Sequence, residues 1–289
     1  MDTPVPFRWD LIGPDQLGSM IDPDTQPDLW FLPELVQCTG KVLARSGGGD
    51  LVFVGRSLDS MFDLLGGALA GCDAPPGLDR LPLSFALGRV FVDGTWQRQL
   101  FTDAHRRQLR AILTGLGLTP PALARRDRPV TFVDVVHEGG TFTDLFTQLR
   151  EWIEDERAQW DVIRRKLRFV GVTRRQKTSP NTWRWQQHED WTGQLPSGSV
   201  VNVSLDPALW SHFGDVQTKL TRTLRPDRWL AEADGPGRAE ATRQALSEAV
   251  ALVAFGRSAA GRRQLARAID GEPALAQAWL RSLVRQLAT

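Results

Sequence analysis

The stretch Val133-Asp134-Val135-Val136-His137-Glu138-Gly139-Gly140-Thr141 combines residue types that could hold an anion. An apolar run carrying an acid breaks at a short glycine turn, and helical spacing resumes at Phe142, Leu145, Phe146, Leu149 and Ile153. A strand, a glycine turn and a helix N-terminus in that order present backbone N–H groups and the positive end of a helix dipole to a negative group. The Thr141 hydroxyl adds a donor. The same pattern also suits a plain strand-to-helix connection capped by Thr141. Asp134 stands where a ligand's hydroxyls would lie, or else binds nearby backbone N–H groups. His137 is either a base or phosphate donor, its ordinary pKa being about 6.5, or a solvated loop residue. With 11 Trp, 13 Phe and no Tyr, the chain has no phenol for acid–base work.

The elements around this stretch alternate. Trp30–Ala44 reads as a helix stopped by Ser46-Gly47-Gly48-Gly49, and Leu51-Val52-Phe53-Val54 as a strand buried on both faces. After Gly55-Arg56-Ser57, the residues Met61, Leu64, Leu65 and Leu69 fall at helical spacing. Leu81–Leu87 reads as a further strand starting near an edge because of Pro82. Residues 88–101 suit a hairpin or a mobile loop, and 103–116 a helix. Strands recur at Val130–Val136, Leu167–Thr173 and Ser199–Leu205, which predicts an α/β fold with a mostly parallel sheet flanked by helices. Beyond Ala231 the pattern is helical only: 238–255, 258–269 and 273–288. The domain reading is an irregular arm over 1–29, an α/β domain with a hood over 30–230, and a helical C-terminal extension over 231–289.

Composition narrows the function classes. The 289 residues are 42% hydrophobic and 24% charged, an ordinary globular balance. Lys plus Arg is 35 against 34 for Asp plus Glu, so no broad field draws in nucleic acid or an acidic membrane, and any anion must be held locally. The arginines 257, 262, 263, 267, 281 and 285 spread over three helices and read as a polar face. Cys38 and Cys72 make neither a CxxC spacing nor a disulfide framework, and a cytoplasmic location is expected. No stretch approaches the ~20 apolar residues of a membrane span.

VTFVDVVHEGGTFTDLF resembles the phosphoribosyl-diphosphate (PRPP) signature of the type I phosphoribosyltransferases, and LVFVGRSLDSMFDLLGGAL resembles their pyrophosphate loop. DWTGQLPSGSVVNVSLD and FVGVTRR are similar to the hood strand and the preceding strand of the hypoxanthine-guanine branch, so that the resemblance covers roughly 30–213. It implies a type I phosphoribosyltransferase-like fold and, as activity, a pentosyltransferase that moves a phosphoribosyl group from PRPP to a nitrogenous, base-like acceptor with release of pyrophosphate. It also implies roles. Glu138, Gly139, Gly140 and Thr141 would hold the 5-phosphate, with Asp134 on the ribose hydroxyls. Arg56 and Ser57 would contact pyrophosphate, through a non-proline cis bond. Arg174, Val200 and Asp206 would lie by the base. Mg²⁺ is the implied cofactor, with Asp134 and Asp206 as its protein ligands; Asp134, from the resemblance, and His137, from its own chemistry, are the candidate catalytic residues. Trp185 and Trp191, in the aromatic-basic loop Lys177–Trp191, could stack the acceptor or cover the core.

Val133 stands where the family has the first acid of its pair. That departure keeps two alternatives: a non-catalytic sensor of PRPP or a nucleotide, or an enzyme processing a nucleoside or another phosphorylated pentose in the same cradle. The expected partners are small molecules, with neither nucleic acid nor membrane, and a homodimer is compatible with this reading.

Overall fold

Leu51–Val54, Phe132–Val136 and Phe169–Val172 carry apolar side chains on both sides, and only strands covered by helices on both faces can bury them. The computed structural model, which describes residues 8–12, 17, 20–21, 26–85, 87, 89–176, 184–222, 224–229 and 237–289, places these runs at the centre of one sheet. In chain order the strands are β1 (Asp50–Val54), β2 (Leu78–Leu81), β3 (Arg89–Val92), β4 (Thr95–Arg98), β5 (Val130–Val136), β6 (Leu167–Arg174) and β7 (Val200–Leu205). Five of them form an all-parallel sheet in the order β2-β1-β5-β6-β7. The fold is α/β, with helices on both faces of this sheet.

The helices are α1 (Leu32–Arg45), α2 (Asp59–Leu69), α3 (Asp103–Gly115), α4 (Pro120–Arg125), α5 (Gly140–Asp155), α6 (Trp160–Ile163), α7 (Pro207–Ser211), α8 (Glu240–Arg257), α9 (Ala259–Ile269) and α10 (Ala278–Ala288). Leu51, Phe53 and Val133 face one core shared with α1, α2 and the C-terminal helices. Val52, Val54, Phe132 and Phe169 face the other, shared with α3 and α5.

Two expectations change. The strand expected at Leu81–Leu87 lies earlier, at Leu78–Leu81, and ends at Pro82, which has no N–H to continue the ladder. Beyond it Leu83 makes only an isolated bridge to Leu224. The stretch 88–101, open between hairpin and mobile loop, contains the two-stranded β3–β4 hairpin. Its turn residues Asp93 and Gly94 both have positive φ, 48° and 80°, as a tight hairpin turn requires.

The C-terminal helices close the main core. Leu252, Leu265, Ile269, Leu280 and Leu287 belong to the same buried cluster as Leu35 and Leu43. Helix α8 approaches α2 so closely that a Cβ at Gly67 would lie 2.1 Å from the Val253 carbonyl oxygen, and one at Gly256 would lie 2.3 Å from that of Leu64. Only glycine permits this contact. Among the described residues, no helix is long and apolar enough to cross a membrane.

Candidate functional site

The strand order reverses direction between β1 and β5, because β2 lies to one side of β1 and the rest of the sheet builds outward from β5. Loops leaving the carboxyl ends of two such strands diverge to opposite faces and leave a crevice between them. A cavity of about 400 Å³ opens there, lined by Ser57 after β1, by Val135 to Phe142 at the end of β5 and the start of α5, and by Phe85, Asp144, Trp210, Gly214 and Asp215.

Gly139 is the N-cap of α5, with φ 90°, and no side chain caps the helix. The first bond within the helix runs from the Thr143 N–H to the Gly139 carbonyl, at 3.0 Å. The amides of Gly140, Thr141 and Phe142 therefore have no carbonyl one turn earlier, and all three residues line the cavity. Thr141 lies inside the first turn, so the cap expected of it belongs to Gly139. Glu138 and His137 stand at the rim, their side chains 80% and 76% exposed and 3.9 Å apart. The His137 ring lies 6.1 Å from that of Trp210.

Asp134 departs from its expected role. It is buried and does not line the cavity; its Oδ1 accepts a 2.7 Å hydrogen bond from the Val135 N–H. Burial pushes its carboxyl well above the ordinary carboxylate range, against a small downward pull from that bond. The register sets it beside Gly171 of β6, while Val133 points into the opposite core. Burial thus disfavours the charged form of this carboxyl, the form that a contact to a ribose would use.

On the β1 side, Ser57 lines the cavity and its carbonyl accepts a 2.9 Å bond from Lys219 Nζ. Arg56 is half-buried and donates to the Thr221 carbonyl at 3.3 Å. Burial, and then Arg225, lower its pKa, while Asp59 raises it. The cis bond implied for this turn is absent: among the described residues every peptide bond is trans.

The residues expected at the base end are dispersed. Arg174 is exposed at the end of β6, outside the cavity lining. Val200 begins β7 and so lies at the amino end of the parallel sheet, away from the cavity at its carboxyl ends. Asp206 caps α7, accepting from the amides of Ala208 at 2.9 Å and Leu209 at 3.5 Å. Trp185 and Trp191 are core residues, 1% and 6% exposed. Trp191 stacks on Phe146 at 4.6 Å and donates to Thr143 Oγ1 at 2.9 Å, while Trp185 Nε1 donates to Asn202 Oδ1 at 2.8 Å. The first part of their loop, 177–183 with Trp183, lies outside the described residues.

The donor set does not fit a magnesium ion held by the protein. Of the two carboxyls implied for it, Asp134 is buried with a raised pKa and Asp206 is engaged in capping. Among the described residues, no group of three or more His, Cys, Asp or Glu could hold a metal.

Phe85, Asp144, Trp210, Gly214 and Asp215 are the cavity residues that sequence reasoning missed. Trp210 had a usable signal: it follows closely on the end of the strand run Val200–Leu205, where an α/β sheet places its ligand. Its indole donates to the Val172 carbonyl at 3.0 Å, which fixes the ring plane.

Trp185→Phe should cost about 1 kcal/mol in urea unfolding, because the half-buried Asn202 Oδ1 loses its indole donor. Ligand affinity should not move. A loss of affinity with unchanged stability would return Trp185 to the cavity.

No protein-family model, no curated protein and no solved structure matches this chain.

Proposed function

We propose that this chain binds a 5-phosphoribosyl ligand, PRPP or a nucleoside 5′-monophosphate, in the manner of a type I phosphoribosyltransferase-like protein. The observation that carries the reading is the uncapped N-terminus of α5 opening on the cavity at the switch point. A phosphate there meets three orphan amides and the helix dipole, and Gly140 leaves it open space. Carboxylates of Glu138, Asp144 and Asp215 also line the cavity, so the dianion sits toward Gly140 and Ser57. Asp215 and Trp210 then suit the uncharged end of the ligand: a hydroxyl or N–H donor for the acid, and a flat ring for the indole. A diphosphate would extend toward the Ser57 turn, with Arg56 beside it.

Transfer to a nitrogenous acceptor with loss of pyrophosphate is the second reading. The exposed His137–Glu138 pair favours it, since a rim imidazole beside a carboxylate can take a proton from an acceptor. Asp134 weighs against it, being buried outside the cavity lining with its charged form disfavoured, because the oxocarbenium-like transition state needs a charged group facing the sugar. Binding without transfer is therefore the stronger version.

Calorimetric titration with PRPP, ribose 5-phosphate and nucleoside monophosphates tests binding. Pyrophosphate release across purines, pyrimidines and small amines then separates transferase from sensor. If nothing binds at millimolar concentration, both readings fall. Ligand should quench tryptophan emission through Trp210. Trp210→Phe should abolish the quench, whereas Trp185→Phe should keep it, and the reverse pattern would move the base end elsewhere.

A further inference from the structure

Beside the Ser57 turn, charged groups from distant segments meet with little access to solvent. The Arg8 side chain is 5% exposed and its guanidinium donates to Asp59 Oδ2 at 3.1 Å, to Asp63 Oδ1 and to Thr221 Oγ1 at 3.1 Å. Arg80 donates to the same Thr221 hydroxyl at 2.7 Å, and both guanidinium groups lie against the Phe62 ring, at 5.6 and 5.4 Å. Lys219, two residues before Thr221, donates to the Ser57 carbonyl and at 2.7 Å to Gln217 Oε1. Gln217 in turn donates to Ser60 Oγ at 2.9 Å and to Glu248 of α8 at 3.0 Å.

The chemistry makes Arg8 the keystone. Asp59 and Asp63 are one turn apart on α2, and two buried carboxylates of like charge repel unless a cation lies between them. Burial pushes Asp63 up to about 6 even with Arg8 in place, and it pushes Lys219 down to about 8. Arg8 is held by more than its charge: Trp9 and Leu11, which follow it, pack with Leu220 and α8 in a small apolar cluster.

We propose that Arg8 is a positioning residue for the cleft: it ties the N-terminal segment to α2 and to residues 217–221, and through Lys219 it holds the Ser57 turn where a diphosphate would lie. The role in ligand binding rests on the phosphoribosyl reading; the hold on the turn rests on geometry alone.

The test combines two measurements on the full chain: hydrogen–deuterium exchange, and calorimetry with inorganic pyrophosphate and with ribose 5-phosphate. The variants are Arg8→Gln combined with Asp63→Asn, which removes one buried charge of each sign, and Lys219→Met, which reaches the turn from the other end. In each, amides over 55–60 should exchange roughly tenfold faster or more while those over 139–145 keep their rates. Pyrophosphate affinity should fall roughly tenfold, with ribose 5-phosphate affinity nearly unchanged. Arg8→Lys, which keeps the charge, should restore most of both. Wild-type exchange over 55–60 in variants that melt cooperatively would overturn the proposal. So would equal loss of both anions. Should the wild-type chain bind neither anion, the phosphoribosyl reading fails by itself, and exchange over 55–60 still decides whether Arg8 holds the turn.

Discussion

Gly139→Ala is expected to lower the stability of the fold by about 2–5 kcal/mol, while Gly140→Ala leaves the melting temperature in place and weakens phosphate binding roughly tenfold or more. The two glycines are neighbours with opposite constraints. Gly139 sits at φ 90°, where a Cβ costs about 1–2 kcal/mol, and that Cβ would lie 2.4 Å from Cε3 of Trp185. The indole cannot yield, being 1% exposed and bonded to Asn202, so the overpacking adds about 1–3 kcal/mol. Gly140 is already helical, has nothing within 4 Å of its Cβ position, and lines the cavity. A methyl group there costs the fold nothing and occupies the space where a phosphate would approach the amides. Thermal melts and calorimetry with ribose 5-phosphate separate the two effects. If Gly140→Ala binds as well as wild type, the anion does not sit on α5.

Asp134→Asn is expected to stabilise the protein progressively as the pH is raised, and to leave binding of a phosphoribosyl ligand unchanged. Burial raises the Asp134 pKa above its ordinary 3.8, so the folded chain holds this proton more tightly than the unfolded chain does. The stability this group contributes is complete below the unfolded pKa. It erodes by up to ~1.4 kcal/mol per pH unit as the pH climbs toward the folded value. Asparagine keeps the shape and the acceptor for the Val135 N–H but cannot ionise, so the difference between variant and wild type widens over that window. Urea unfolding at a series of pH values reads it directly. A variant with no such gain and with pyrophosphate release abolished would show a charged Asp134 facing the ligand, and the transferase reading would replace the binding one.

The strands β1, β5 and β6 were legible because doubly buried parallel strands are continuous apolar runs, and their alternation with helical spacing leaves little but an α/β sheet. Hydrophobicity continues past Pro82 while the pairing with β1 ends at Leu81, so the apolar run by itself sets the β2 strand a few residues late. The turn from His137 to Thr141 was legible for a local reason. A glycine at positive φ before a helix is dictated by neighbours in sequence.

The chain's own order of residues thus determined the sheet, the helix N-terminus and the glycine turn, all properties of contiguous segments. Only the tertiary structure decided which side chains share the cavity. Trp185, Trp191 and Trp210 look alike along the chain, yet two are packed against α5 and β6 while the third lines the cleft. Val200 and Asp206 lie on or beside the same strand, but direction within a parallel sheet sends one to the end without the crevice. Asp134 shows the limit most clearly. Its neighbours in sequence are compatible with a charged ligand contact, and only the loss of water around it in the folded core disfavours its charged form.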